Sequence, residues 1–436
     1  MRWHGERRVV DGQIRHPVDG EAWQEFNKEF PEFSSEIQNV RLGLATDGFN
    51  PFGALGVSHN TWPVMVMPYN LPPSMCMKKE FKLLILLISG PKSLGKCLNV
   101  FMRPLIDELK MLWDMGVVTY DRYDGSSFLM KAAVMSTISD FPVLGMLGGM
   151  KTKGYKACPI CLDGVDAEHL SGRMVYQGHR RWLDRDHRWR QAANKFDGTN
   201  ELRNPSPSLS GHEIMDGIFN HEFPILSLHP KCKAYRNGTA LGIEGKTKDT
   251  PKAREGLKQH GVRQNLWEKE PGPSSKKAKV SQAPYTVLPD CRNEIFEWIP
   301  EDKYPDGYAG SLKNKISVTG KKFNGLKTHD CHVMMQRLLP IFIRPYLPYN
   351  IVEPLIALSR WFQKLCCKEL RKDDVCQMKD DIAMILCKLE MIFPPAFFTI
   401  MVHLLIHLLD QVLLKDPIHY NWMFPIERQL GQYKKA

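Results

Sequence analysis

The chain has 436 residues, 43% of them hydrophobic and 10 of them Trp, which suffices for two or three packed lobes and excludes a disordered polymer. Its 59 Lys+Arg against 48 Asp+Glu leave a formal charge of +11, a surplus that favours polyanions but also occurs in basic proteins with no such partner. The 11 Cys do not form a disulfide pattern, Met1-Arg2-Trp3-His4 opens no secretory signal, and no run reads as a bilayer span, so a reducing compartment without membrane is expected.

Residues 1–39 read as an entry segment of mixed structure, with Trp3 and Trp23. Val40–Thr46 is a short alternating run that ends on Asp47, before Gly48, Asn50, Pro51 and Gly53. Thr61–Tyr69 is a second strand candidate. Phe81–Ser89 is a third, almost wholly apolar after Lys82 and therefore expected to be buried on both faces. Leu98–Met115 carries Leu98, Phe101, Leu105, Leu109, Leu112 and Trp113 at helical spacing. Phe128–Ile138 returns to strand character and delivers Asp140. The order β-β-β-α-β, with an acid after the first and fourth strands, predicts an α/β sheet with its site at strand ends.

Residues 165–320 are richer in charge, Gly, Pro and Ser and read as an insertion. It contains an aromatic-basic cluster of Trp182, His187, Trp189 and Arg190, and a solvated linker over 246–284. From Leu326 the pattern is helical. Val333–Ile343, Val352–Leu370, Asp374–Ile392 and Pro395–Leu414 each place apolar residues at i, i+3 and i+4.

Four features bear on chemistry. Asp47 and Asp140 each end a strand-like run, which suits two divalent ions held about 4 Å apart over a phosphate; an Asp that merely makes a turn reads the same way. Cys158-Pro159-Ile160-Cys161 has the spacing of two corners of a zinc tetrahedron, with a redox pair or two buried thiols as alternatives. His403 and His407 share a helix face at i, i+4 without the Glu of a zinc protease, and each could instead bond locally. Glu427 is marked only by its interval: it follows His407 by 427 − 407 = 20 residues, as Cys158 follows Asp140 by 158 − 140 = 18. A metal joining the Cys pair to the His pair would bring Glu427 back to the aspartates, unless Arg428 simply pairs with it. Separately, Lys276, Lys277 and Lys279 form a basic cluster beside Pro and Ser, readable as an import signal, a nucleic-acid contact or a solvated charge run.

The motifs together resemble the plant CACTA-type (En/Spm) DNA transposases. LGLATDGFNPFG at 42–53, SGPKSLGKCLNVFMRPLIDELKMLW at 89–113, DFP at 140–142 and TKGYKACPICL at 152–162 match. So do GHRRWL at 178–183, HRWR at 187–190, EGKTKDTPKAR at 244–254, GLKTHDCHVMMQRLLP at 325–340, LEMIFPPAFF at 389–398 and WMFPIERQLG at 422–431. From about Leu326 the chain resembles the plant-transposon domain of unknown function that follows the transposase core.

The resemblance implies a ribonuclease-H-like core of the DDE type over 40–164, the insertion at 165–320, and a mostly helical region over 321–436. It implies an acidic triad of Asp47, Asp140 and Glu427 holding Mg²⁺ or Mn²⁺, and a structural Zn²⁺ on Cys158, Cys161, His403 and His407. The implied activity is metal-dependent cleavage and strand transfer of transposon-end DNA in the nucleus, as a homo-oligomer or with a second transposon-encoded protein. Two departures stand beside it. A block containing Asp-Val-Met-His-Ile-Glu-Lys-Asn, usual in the family, is absent between about 220 and 242, and the chain stops nine residues after Glu427. They imply a truncated or decayed copy, and a catalytically inactive nuclear DNA-binding or protein-interaction remnant as the alternative.

Overall fold

The computed structural model describes residues 1–52, 59–90, 94, 98–148, 150–170, 172–207, 211–213, 251–267, 282–299, 312–317, 322–323, 325–415 and 417–433. The Lys276, Lys277 and Lys279 cluster and the 220–242 region lie outside them.

The chain is mixed α/β. Its main sheet draws on β1 (Val40–Thr46), β2 (Asn60–Pro68) and β3 (Leu83–Gly90), then, past a helix and the hairpin β4 (Val117–Asp121) with β5 (Ser126–Met130), on β6 (Ala132–Ile138). The strand order is β3-β2-β1-β6. β1–β2 and β2–β3 pair antiparallel, whereas β1–β6 pair parallel. That parallel pair points two chain ends the same way, which a sheet of hairpins alone cannot do.

Pleating divides each strand between two cores. Leu42, Leu44, Val64 and Val66 pack with Leu98, Met102 and Leu105 of the helix Leu98–Asp114. Ala45, Met65, Met67 and Ile138 face the other way and meet Ile426 and Leu430 of the helix Phe424–Tyr433. At the start of β1 that second face is covered by the entry segment, where the Arg41 guanidinium lies 4.6 Å from the Trp23 ring and 5.1 Å from Phe33. Gly43 is required there, because a Cβ would come within 2.2 Å of the Tyr69 hydroxyl. Residues Gln13–Ile14 pair with Leu370–Arg371, stitching the entry segment to the helical region.

The helical region has its own core. Tyr349–Leu365 and Lys372–Ile392 bury Leu358, Trp361, Leu365, Ile382, Leu386 and Leu389 with Phe398, Ile406 and Leu409. Ile14, Leu183, Trp189 and Phe196 join this cluster, so the first part of the insertion is built onto the helices.

Four expectations need correction. β3 is not buried on both faces: it is an edge strand, with Leu83 52%, Leu84 43%, Ile85 44% and Leu87 56% exposed. An apolar run does not reveal whether a strand will be central or marginal. The single run Phe128–Ile138 is two strands, broken at Lys131, and the first pairs with β4 in a separate hairpin. The linker expected over 246–284 contains a helix, Pro251–Gln259, whose Leu257 packs with Val262, Leu266 and Ala283. Finally, Pro395–Leu414 is not one helix but α-helical Ile400–His403, a 3₁₀ turn Leu404–His407, and α-helical Leu408–Leu414.

Candidate metal and carboxylate centres

Cys158 and Cys161 sit in a fully packed knuckle with Ala157, Val165 and Tyr176, against Ile400 and Leu404. The Tyr176 amide donates to the Phe398 carbonyl at 2.8 Å, which fixes the knuckle's hairpin to the segment that carries the histidines. Cys161 Sγ lies 3.5 Å from His403 Nε2 and 3.1 Å from His407 Nε2, and the two Nε2 atoms are 3.3 Å apart. All four donor atoms close within 4.8 Å and all four residues are buried. A tetrahedral zinc with ordinary Zn–S and Zn–N bonds gives edges of about 3.6 Å for S···N and about 3.3 Å for N···N. The donor set therefore fits zinc in type, count and spacing. The 3₁₀ turn contributes: its tighter winding alters the angular offset of His403 and His407.

The electrostatics agree with such a set. Hydrogen bonding to Cys161 and then to the two imidazoles, against burial, holds the Cys158 thiol far below its usual range. The bond to Cys158 and burial push Cys161 up. Burial lowers His403 to about 4, leaving the neutral imidazole that a metal requires.

The carboxylates are arranged differently. On the parallel pair, Ala45 stands opposite Ile138, and Asp47 and Asp140 each come two residues later. They thus leave the sheet at the same end of adjacent strands. Asp140 also caps the helix Phe141–Leu147, its Oδ1 accepting from the Val143 amide at 2.8 Å, so the turn-making role is real as well. Glu427 arrives from the far end of the chain. Ile426 and Leu430, one turn apart, bury against Ala45 and Ile138, the residues just before the two aspartates. Lys82 Nζ donates to the Pro425 carbonyl at 3.0 Å and pins the helix start.

Burial first, then the charge of Asp140, raises Asp47 to about 7, with a further push from Glu427 against a lowering bond from the Gly48 amide. Asp140 is raised by burial and by Glu427, against the Val143 amide. In both, burial is the first cause and a neighbouring carboxylate adds to it, so each acid holds its proton more tightly than a free carboxyl does. The three stand further apart than the Cys–His set, the one group of metal-type donors that closes within 4.8 Å among the described residues.

Glu427 is exposed and makes no ion pair with Arg428 among the described residues; its Oε2 accepts from Thr328 Oγ1 at 2.7 Å. Thr328 was not singled out by the sequence, although it lies in GLKTHDCHVMMQRLLP. Nor was the buried pair beside the histidines, where His179 Nδ1 lies 2.6 Å from Glu390 Oε1. The aromatic-basic cluster is structural where it is buried: Arg190 donates to the carbonyls of Arg181, Leu183 and Arg203.

The comparisons with known proteins bear on both centres. Residues 11–220 match the family described as transposase family tnp2, and residues 365–436 match a domain of unknown function, DUF4218. Among the curated proteins compared, none matches. The first match contains Asp47, Asp140, Cys158 and Cys161, and the second contains His403, His407 and Glu427, so each centre is assembled from both matched regions. On these grounds the chain is a transposase-like protein, of a kind for which DNA binding and divalent-metal use are the coarse expectation.

Proposed function

We propose that the chain is a CACTA-type DDE transposase that cleaves transposon-end DNA and transfers the resulting 3′ hydroxyl to target DNA in the nucleus. The sheet order β3-β2-β1-β6, with only the last pair parallel, is the arrangement a ribonuclease-H-like core would have. One observation carries the reading: Asp47 and Asp140 end adjacent parallel strands, and the helix bearing Glu427 packs on the residues just before them. Asp47, Asp140 and Glu427 would hold Mg²⁺ or Mn²⁺, which when bound polarises phosphoryl oxygens and acidifies an attacking water or hydroxyl. The burial and crowding that raise Asp47 and Asp140 would be relieved by such a cation. Thr328 holds one oxygen of Glu427 and so sets the carboxylate plane. Cys158, Cys161, His403 and His407 would hold a structural zinc, tying the core to the C-terminal region across a very long loop.

The test is nicking of supercoiled plasmid carrying terminal-repeat DNA, with and without Mn²⁺. Cutting should require the metal and vanish in the Asp47→Asn, Asp140→Asn double variant. A double variant that nicks like the parent, or a parent that binds DNA and never cuts it, ends this reading.

A further inference from the structure

A cleft of about 590 Å³ opens on the helix Phe424–Tyr433, along the face that carries Phe424, Pro425, Arg428, Gln429 and Gln432. Its lining is basic. Lys78, Lys79 and Arg428 reach it from exposed positions and Lys82 from a buried one; with Glu80 the formal balance is 4 − 1 = +3. Lys82 is crowded enough by burial and then by Arg428 that its ammonium is held below its usual range. The wall between the cations is aromatic, formed by Trp422 and Phe424. His419 lines it as well. Burial holds His419 near 4, so its ring adds no charge to the cleft. Like-charged side chains around a concave surface concentrate anions there.

We propose that this cleft takes the phosphodiester backbone of the DNA strand engaged by the carboxylates. Glu427 and Arg428 are consecutive on the helix, so one element serves the acidic centre and the basic cleft. A strand that offered a phosphate to Asp47, Asp140 and Glu427 would meet strong repulsion from three acids. A basic cleft on another face of the same helix offsets that repulsion and fixes the strand's register. Trp422 and Phe424 offer aromatic edges to a base or sugar without demanding a sequence. This inference rests on the proposed function for the identity of the strand but not for the existence of the anion site.

The test is fluorescence anisotropy of a labelled single strand and its duplex, over a range of KCl, with zinc present and no Mg²⁺ or Mn²⁺. The triple variant Lys78→Ala, Lys79→Ala, Arg428→Ala removes only exposed cations. A control triple removes Lys110, Arg122 and Lys195, which are exposed elsewhere. The cleft variant should bind about tenfold or more weakly at 0.1 M salt, its log K against log salt slope shallower by about 2. The control should lose less than about half of that slope change. Equal losses in the two triples, or a cleft variant that binds like the parent, overturn the proposal. So does displacement of DNA from the parent by millimolar inorganic phosphate, which would make this a small-anion site. Because binding is read without the catalytic metal, a parent that never nicks but shows the cleft-specific slope change rejects the nuclease reading alone.

Discussion

The two centres solve opposite problems with the same two ends of the chain. The Cys–His set is buried, and its donor atoms close within 4.8 Å. The carboxylates sit at strand ends, with Glu427 exposed and the three more widely spaced. Imidazoles and thiols can be packed together by apolar neighbours before any cation arrives. Three carboxylates cannot, because burial and mutual repulsion both oppose ionisation. A closed donor set is what a structural metal needs, whereas open coordination positions are what a reacting phosphate needs.

The largest effect should come from the closed centre. His407→Asn or Cys161→Ser should abolish a one-to-one zinc content and lower the melting temperature by about 10 °C or more. Elemental analysis and calorimetry read both, and folded parent protein without zinc would remove the distinction between the centres. At the open centre Asp47→Asn should cut nicking by about 10³-fold or more while leaving the melting temperature unchanged or higher, since it relieves repulsion. A variant that loses activity only because it melts early would place Asp47 with the structural residues.

The pH dependence sharpens the contrast. Asp47 in the folded chain titrates near 7, above its ordinary 3.8. A raised carboxylate destabilises the fold once it ionises, so this penalty is absent below pH 3.8 and grows as pH rises from there to about 7. The metal-free protein should therefore lose melting temperature across that window, and Asp47→Asn should flatten the loss. Over the same window Mn²⁺ should bind more tightly by up to about tenfold per pH unit, because the metal displaces the Asp47 proton. Titration calorimetry at three pH values decides it; affinity independent of pH would show that Asp47 is not a ligand.

Smaller effects test the supports. Thr328→Val should lower nicking about three- to tenfold, with Thr328→Ser restoring most of it, since one hydrogen bond to a charged oxygen is lost and regained. Equal impairment in both variants would make Thr328 a packing residue. Leu87→Lys on the exposed edge should move the melting temperature by no more than about 2 °C. A larger drop would mean that this strand is covered in solution.

Legibility differed by element. The alternation of β1 and the breaker-rich turn after Asp47 were local, and so were visible in sequence. β3 was misread because Leu83–Leu87 is apolar on both sides, and only the strand order shows that it has a single neighbour among the described residues. The hairpin before β6 was hidden because Lys131 is a weak break in a continuous β-prone run. The linker expectation failed where Leu257 and Leu266 found each other across a charged stretch. Thr328 had no signal at all, because its meaning depends on a residue 99 positions away.

Local spacing sets which residue types are on offer: two strand-end aspartates, a CxxC knuckle, paired histidines and a late glutamate. Which of them meet is settled by long-range packing. Cys161 and His403 are 242 residues apart, and what joins their segments is apolar burial and a strand-to-turn hydrogen bond, neither of which has a local signature. Glu427 comes to the aspartates because Ile426 and Leu430 prefer Ala45 and Ile138 to water, a preference shared by every apolar residue and given direction only by the folded sheet.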